Sequence, residues 1–326
     1  MKIGFIGLGN LGVKLAGTLL RNGHDLIVRD LNPALEADFL ARGAMSAKSP
    51  RAMAEICDLV ITCLPSPTAC AEVMEGEQGI INGLSEGKIW LEMSTTDAAE
   101  VSRIGALVRA IGAEPLDCPV SGGCHRADTG NISIFAGGTR TAFECVLPVL
   151  TTLGRRVLHT GELGSASVLK VLTNFLATAH LAAISEALTT AKVLGMDMNV
   201  TYEAIKASSG NSFVHETESQ VILNGSRDIS FTMDLVLKDV SLFYGLAERT
   251  GLKLELAPML IDLFRDGIER YGERELSPNI IRRLEESADV EVLGQGFPAQ
   301  MTDDEPEASG YEVVIAGRQD QSLLLP

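Results

Sequence analysis

The chain has 326 residues, 46% of them hydrophobic and 21% charged, which is apolar material for two domains with cores of their own. A formal net charge of −16 excludes the clustered lysines and arginines of a nonspecific nucleic-acid binder, and no apolar run reads as a membrane span, so neither nucleic acid nor membrane is expected as a partner. Six cysteines (Cys57, Cys63, Cys70, Cys118, Cys124, Cys145) form no CxxC pair and read as buried thiols of a reducing, cytoplasmic setting.

In chain order, Ile3-Gly4-Phe5-Ile6 is predicted as a strand that enters Gly7-Leu8-Gly9-Asn10-Leu11-Gly12 and then a helix. This is a dinucleotide-binding fingerprint in its required setting. Gly7 permits the tight turn, Gly9 lets backbone approach a pyrophosphate, Gly12 allows close helix–sheet packing, and the helix N-terminus faces the phosphates. A second strand, Leu26-Ile27-Val28-Arg29, ends at Asp30, where a carboxylate accepts hydrogen bonds from the adenosine ribose and repels a 2'-phosphate. Leu31 and Asn32 offer no cation, so NAD is expected over NADP, although Arg29 keeps NADP open and Asp30 could instead cap the Asn32-Pro33 turn.

The run from Asp58 to Leu64 is the next strand, closed by Pro65, with a short helix from Thr68 to Met74. Lys88 to Met93 is another, ending at Ser94-Thr95-Thr96, after which Asp97 caps a helix to Ile111. Leu116 to Val120 leads into Ser121-Gly122-Gly123, and strands near Ile132–Ala136 and Arg156–His159 complete the sheet. The alternation predicts an α/β fold, with a doubly wound Rossmann domain over residues 1–163. From Ser167 to Leu194 the chain is apolar nearly all round, so this helix is expected to be buried as the interdomain core of an all-helical domain over 164–287. It also leads us to expect a homodimer or homotetramer. Helical patterns follow from Val200, then over Phe213–Leu223, Met233–Thr250 and Ala257–Tyr271. Residues 285–326 hold ten acids against the single base Arg318, and 288–326 is expected to be an acidic, mobile tail, with a short strand over Tyr311–Ala316.

A nicotinamide domain implies hydride transfer, and carbonyl reduction needs a proton donor beside the oxygen on which charge develops. Lys170 is the best candidate. It is the only cation between Arg156 and Lys192, near a helix N-terminus and among apolar neighbours that disfavour its charge. Asn174 shares its helix face at i+4; a lysine snorkelling from the helix end is the alternative. No HExxH, His/Cys cluster or GxSxG occurs, so neither a catalytic metal nor a hydrolase is expected.

Four separated segments resemble the beta-hydroxyacid dehydrogenase family, which includes 3-hydroxyisobutyrate dehydrogenase, tartronate semialdehyde reductase and the glyoxylate and succinic semialdehyde reductases. They are Ile6 to Gly12, Asp117-Cys118-Pro119-Val120-Ser121-Gly122-Gly123, Gly164 to Asn174, and Leu237-Lys238-Asp239. The resemblance implies that Ser121, Gly122 and Gly123 hold a substrate carboxylate, and that Leu64, Pro65 and Thr95 line the nicotinamide ribose. It further implies that Lys170 donates the proton while Asn174 orients it, and that Lys238 contacts bound cofactor or substrate from the second domain. Two glycines in a tight turn, and an i−4 ion pair of Lys238 with Asp234, are the plain alternatives. Phe231 would be an apolar wall or simply core. Cys118 stands where the family usually has alanine, and His125 or Arg126 could reach a second anionic group on the substrate. The expectation is an NAD-dependent dehydrogenase of a small 3-hydroxy acid. Its rivals are an NADPH-dependent semialdehyde reductase and a nucleotide-binding regulatory protein without catalysis.

Overall fold

The computed structural model describes residues 1–318. They form two compact units, Met1–Lys170 with the chain from Asp303 onward, and Val171–Thr302. The first unit thus runs a few residues past 163, to Lys170, and takes in the acidic end of the chain.

The first unit is built on strands β1 (Ile3–Ile6), β2 (Leu26–Arg29), β3 (Met45–Ser46), β4 (Leu59–Thr62), β5 (Ile89–Glu92), β6 (Glu114–Asp117), β7 (Val120–Ser121), β8 (Ser133–Gly137), β9 (Arg156–Gly161) and β10 (Tyr311–Glu312). Their order is β10-β9-β8-β6-β5-β4-β1-β2-β3, with β7 paired to β8. From β3 to β6 every pairing is parallel. The helices are α1 (Gly12–Arg21), α2 (Pro33–Ala41), α3 (Pro50–Ile56), α4 (Pro67–Glu75), α5 (Ala98–Ala110), α6 (Cys124–Thr129) and α7 (Arg140–Leu153). Alternate residues of each central strand enter opposite cores. Phe5, Val28, Ile61 and Leu91 pack on one face, and Ile6, Ile27, Val60 and Trp90 on the other. A sheet covered on both faces needs such continuously apolar strands.

The sheet is not parallel throughout. β8 runs antiparallel to β6 and β7, because the short α6 loop returns the chain as a hairpin and leaves no room for a crossover. β9 and β10 then follow β8 in parallel. The acidic segment therefore ends as an edge strand, and the expected mobile tail is corrected for residues 303–318. Its acids meet cations far back in the chain: Glu305 with Arg155 and Arg156, Glu307 with Arg21, and Glu312 with Arg140. Asp320 of the expected tail lies outside the described residues.

Helix α8 (Ser165–Val193) continues into the second unit, which holds α9 (Met198–Lys206), α10 (Phe213–Asn224), α11 (Met233–Thr250), α12 (Leu256–Tyr271) and α13 (Arg282–Ala288). Val171, Leu181, Ile184 and Leu188 of α8 pack in this unit's core with Tyr202, Val240 and Phe264. Residues of the expected tail also contribute, since Val292 is fully buried and Phe297 packs at the edge of the same core. The expectation that α8 is buried all round does not hold. Leu172 and Leu176 are exposed, because the core covers only part of the circumference. By length and composition alone α8 is also long and apolar enough to cross a membrane, which the reading of apolar runs did not credit. The thiols are likewise not uniformly buried: Cys57, Cys70 and Cys118 are, whereas Cys145 is exposed.

Candidate active site

The fingerprint does what its spacing requires. Gly7 has φ of +99°, and a Cβ there would stand 2.2 Å from the Cys63 carbonyl oxygen; one on Gly12 would stand 2.0 Å from that of Gly7. Gly9 meets nothing within 4 Å of a notional Cβ, so backbone lies open to a ligand. Helix α1 begins at Gly12, and the residue in its cap position, Leu11, makes no side-chain cap hydrogen bond. An open glycine leading into a helix N-terminus fits a pyrophosphate. Asp30 follows β2 and uses both oxygens locally: Leu8 N donates to Oδ2 at 2.6 Å and Asn32 N to Oδ1 at 2.8 Å. The turn-capping role is thus filled by a carboxylate that stands just past the end of β2.

Leu64, Pro65 and Thr95 follow the carboxyl ends of β4 and β5, the edge where ligands bind in open α/β sheets. Glu92, which sequence reasoning missed, holds these two loops together. It is fully buried and accepts hydrogen bonds from Ser94 N at 2.7 Å, Thr62 Oγ1 at 2.8 Å and Cys70 Sγ at 2.7 Å. Ser94 Oγ in turn accepts from Leu64 N at 2.7 Å. Burial pushes the Glu92 carboxyl above the ordinary carboxylate range, against the pull of these donors. An acid inside an apolar strand was the available signal.

Beyond β7, Gly122 and Gly123 have φ of +133° and +87°, conformations that a side chain would strain. Ser121 pairs in register with Ser133, so hairpin pairing closes the base of this loop. Arg126 Nε lies 3.8 Å from Asp303 Oδ1. His125 is pushed toward its neutral form by burial and by Arg126, and its Nδ1 finds no hydrogen-bond partner among the described residues.

Asp117 ends β6 and caps the start of α8, where Gly164 N donates to it at 2.8 Å and Ser167 N at 2.7 Å. Lys170, one turn further along α8, is only 9% exposed. In the second unit, Asn174 Nδ2 donates to Asp239 Oδ2 at 2.5 Å, and Lys238 Nζ lies 2.8 Å from Asp239 Oδ1. Asp239, whose side chain is buried, thus gathers two of the expected site residues. Asp234 meets Arg274 at 3.0 Å. Phe231 packs against the second core, in keeping with its plain reading.

Two family models match consecutive stretches of the chain. Residues 2–161 match the family model of the NAD binding domain of 6-phosphogluconate dehydrogenase. Residues 164–284 match that of the NAD-binding of NADP-dependent 3-hydroxyisobutyrate dehydrogenase. The chain is 30% identical over 295 residues to 2-(hydroxymethyl)glutarate dehydrogenase of Eubacterium barkeri, covering 90% of this chain and 98% of that protein. It is 30% identical over 285 residues to 2-hydroxy-3-oxopropionate reductase of Escherichia coli, covering 87% and 97%. Among solved structures, 3-hydroxyisobutyrate dehydrogenase from Salmonella typhimurium superposes with a TM-score of 0.79 at 28% identity, covering 87% of this chain and 99% of that one.

Proposed function

From the premise that this chain belongs to the beta-hydroxyacid dehydrogenase family, and is an oxidoreductase of small hydroxy acids with a nicotinamide cofactor, we propose that it uses NAD to interconvert a 3-hydroxy acid and its semialdehyde or ketone, with Lys170 as general acid and base. The observation that carries the assignment of Lys170 is the Asp117 cap, which anchors the turn preceding a nearly buried lysine. Bound nicotinamide supplies the hydride donor or acceptor. The Ser121 hydroxyl and the amides of Gly122 and Gly123 hold the substrate carboxylate. Lys170 Nζ gives its proton to the carbonyl oxygen in reduction and takes it from the hydroxyl in oxidation, and Asn174 orients the reacting group. Lys238 contacts cofactor or substrate, with Asp239 fixing both Asn174 and Lys238.

The choice of NAD over NADP is supported by Asp30, and by Arg29, whose Nη1 donates to the Ala47 carbonyl at 3.0 Å and so is engaged away from a 2'-phosphate. A homodimer or homotetramer is supported by the exposed pair Leu172 and Leu176, one turn apart on α8. Free cysteines support a cytoplasmic setting.

The test is turnover across a panel of 3-hydroxy acids and their semialdehydes with both nucleotides. Lys170→Ala is expected to lower turnover by a factor on the order of 100 to 10,000 while NAD binding stays near normal. Lys170→Arg should rescue little, since arginine keeps its proton near neutral pH. Near-normal turnover in Lys170→Ala would remove this lysine from the mechanism, and no turnover of any substrate by the wild type would remove the reaction itself.

A further inference from the structure

The loop after Ser121 is closed at its base by the β7–β8 hairpin, and its far end is α6 followed by Gly130 and Asn131. That far end is gripped from two sides. From α1, Thr18 Oγ1 donates to the Ala127 carbonyl at 3.0 Å, Lys14 pairs with Asp128 at 3.3 Å, and Arg21 donates to the Asp128 carbonyl. From the end of the chain, Asp303 accepts from the Thr129 hydroxyl and, at 2.7 Å, from Asn131 Nδ2, while Arg126 lies 3.8 Å from its other oxygen. Asn131 Nδ2 also reaches the Glu305 carbonyl at 2.6 Å, and Glu307 returns to Arg21 at 3.2 Å. The Asp303 side chain is only 2% exposed, so a carboxylate from the last twenty-five residues is built into the underside of this loop.

We infer that Asp303 is a positioning residue for substrate binding: the C-terminal segment is a strap that fixes α6 against the cofactor-binding helix, and thereby fixes the Ser121-Gly122-Gly123 amides that receive the substrate carboxylate. A backbone anion site works by the fixed direction of its N–H groups, and this one has two glycines, the residue type that gives the chain most freedom to lose. Hairpin pairing holds only the Ser121 side. The Asp303 contacts with Arg126, Thr129 and Asn131 hold the other, so that the amides are set before substrate arrives and its binding does not have to order them. The role in substrate binding rests on the function proposed above; the clamping of the loop does not.

The experiment uses the full chain with NAD bound and two variants, Asp303→Ala and Thr129→Val, the second removing one donor with little change in shape. Hydrogen exchange of the amides from Gly122 to Ile132 is expected to quicken about tenfold or more in both, while those of β4 and β5 stay unchanged. The Michaelis constant for the hydroxy acid should rise about tenfold, with turnover and the constant for NAD within about twofold, because a charged hydrogen bond is lost at the loop alone. Wild-type exchange in the loop of both variants would overturn the strap. So would a constant for NAD that rises as much as that for substrate, which would mark a general loosening of the domain. If the wild type turns over no hydroxy acid, the proposed function fails and the exchange measurement alone decides the clamping of the loop.

Discussion

Asp117 accepts both the amide and the hydroxyl of Ser167, at 2.7 and 2.8 Å, so that a carboxylate ending one strand caps the helix on which Lys170 lies one turn further on. Burial raises this carboxyl and the donors of Gly164 and Ser167 oppose that rise. The space for it comes from Gly137, where a Cβ would stand 2.4 Å from Asp117 Oδ1. Asp117→Ala should cost about 1–3 kcal/mol of stability for the donors left buried, and should lower turnover more than it weakens NAD binding. Gly137→Ala should do the same to turnover by displacing the carboxylate. Calorimetry and steady-state kinetics read both effects, and unchanged turnover in both variants would make the cap irrelevant to Lys170.

Glu312 of the edge strand takes a two-pronged contact from Arg140, Nη1 at 2.6 Å and Nη2 at 2.9 Å, with both side chains largely buried. Paired guanidinium–carboxylate geometry of this kind is worth more than an exposed ion pair. Glu312→Gln should lower stability by about 1–2 kcal/mol, seen as a lower urea midpoint at unchanged slope. Deleting residues 303–326 should cost more, since it also strips the edge of β9 and leaves Arg140, Arg155 and Arg156 without these partners. An unaltered midpoint after that deletion would return the segment to the status of a tail.

The contrast between these two sites shows what a sequence can reveal. The fingerprint was legible because its constraints are local: Gly7 and Gly12 each avoid backbone within a few residues or one neighbouring strand end. Helix α11 was read at its observed bounds because its apolar period is regular and Gly251 ends it in a left-handed conformation. Helices α2, α3 and α7 were not read, although Asn32, Ser49 and Thr139 each cap one, two of them ahead of a proline, a signal that was available. The acidic segment was misread because charge and fading periodicity describe a solvated chain as well as they describe a strap. What distinguishes the two is the position of Arg21, Arg126, Arg140, Arg155 and Arg156, more than 140 residues away, which only folding brings to it. Glu92 and Asp239 were missed for the related reason that an acid's role depends on what the fold puts beside it.

Glu218 on α10 offers a pH test. Burial alone pushes its carboxyl up to about 8, and its Oε2 has no hydrogen-bond partner among the described residues. A carboxyl whose folded value lies above its unfolded value binds its proton more tightly in the native state. Its stabilising contribution is therefore complete below the unfolded value, about 4.3, and is lost as pH rises through the folded one. Glu218→Gln should consequently match the wild type near pH ~4 and melt a few degrees higher near pH ~8.5. Parallel melting curves of the two proteins across that window would show that Glu218 titrates normally.

The proposed preference for NAD makes Asp30 its test residue, a carboxylate at the end of β2 that ties Leu8 N to Asn32 N. Wild-type protein should bind NAD more tightly than NADP, because a 2'-phosphate would meet this carboxylate while Arg29 is held by the Ala47 carbonyl. Asp30→Ala removes the repulsion but also the acceptor that fixes the fingerprint turn, so both dissociation constants should rise for a reason unrelated to charge. The informative quantity is their ratio, which should shift toward NADP by about tenfold or more even as overall affinity falls, since a like-charge contact is worth at least 1.4 kcal/mol in a partly buried site. Asp30→Asn keeps one acceptor oxygen for Leu8 N or Asn32 N and loses the charge, so it should shift the ratio with a smaller loss of affinity. Fluorescence titration of all three proteins with both nucleotides decides it: a wild-type preference for NADP, or a ratio unmoved by either substitution, would take the discrimination away from Asp30.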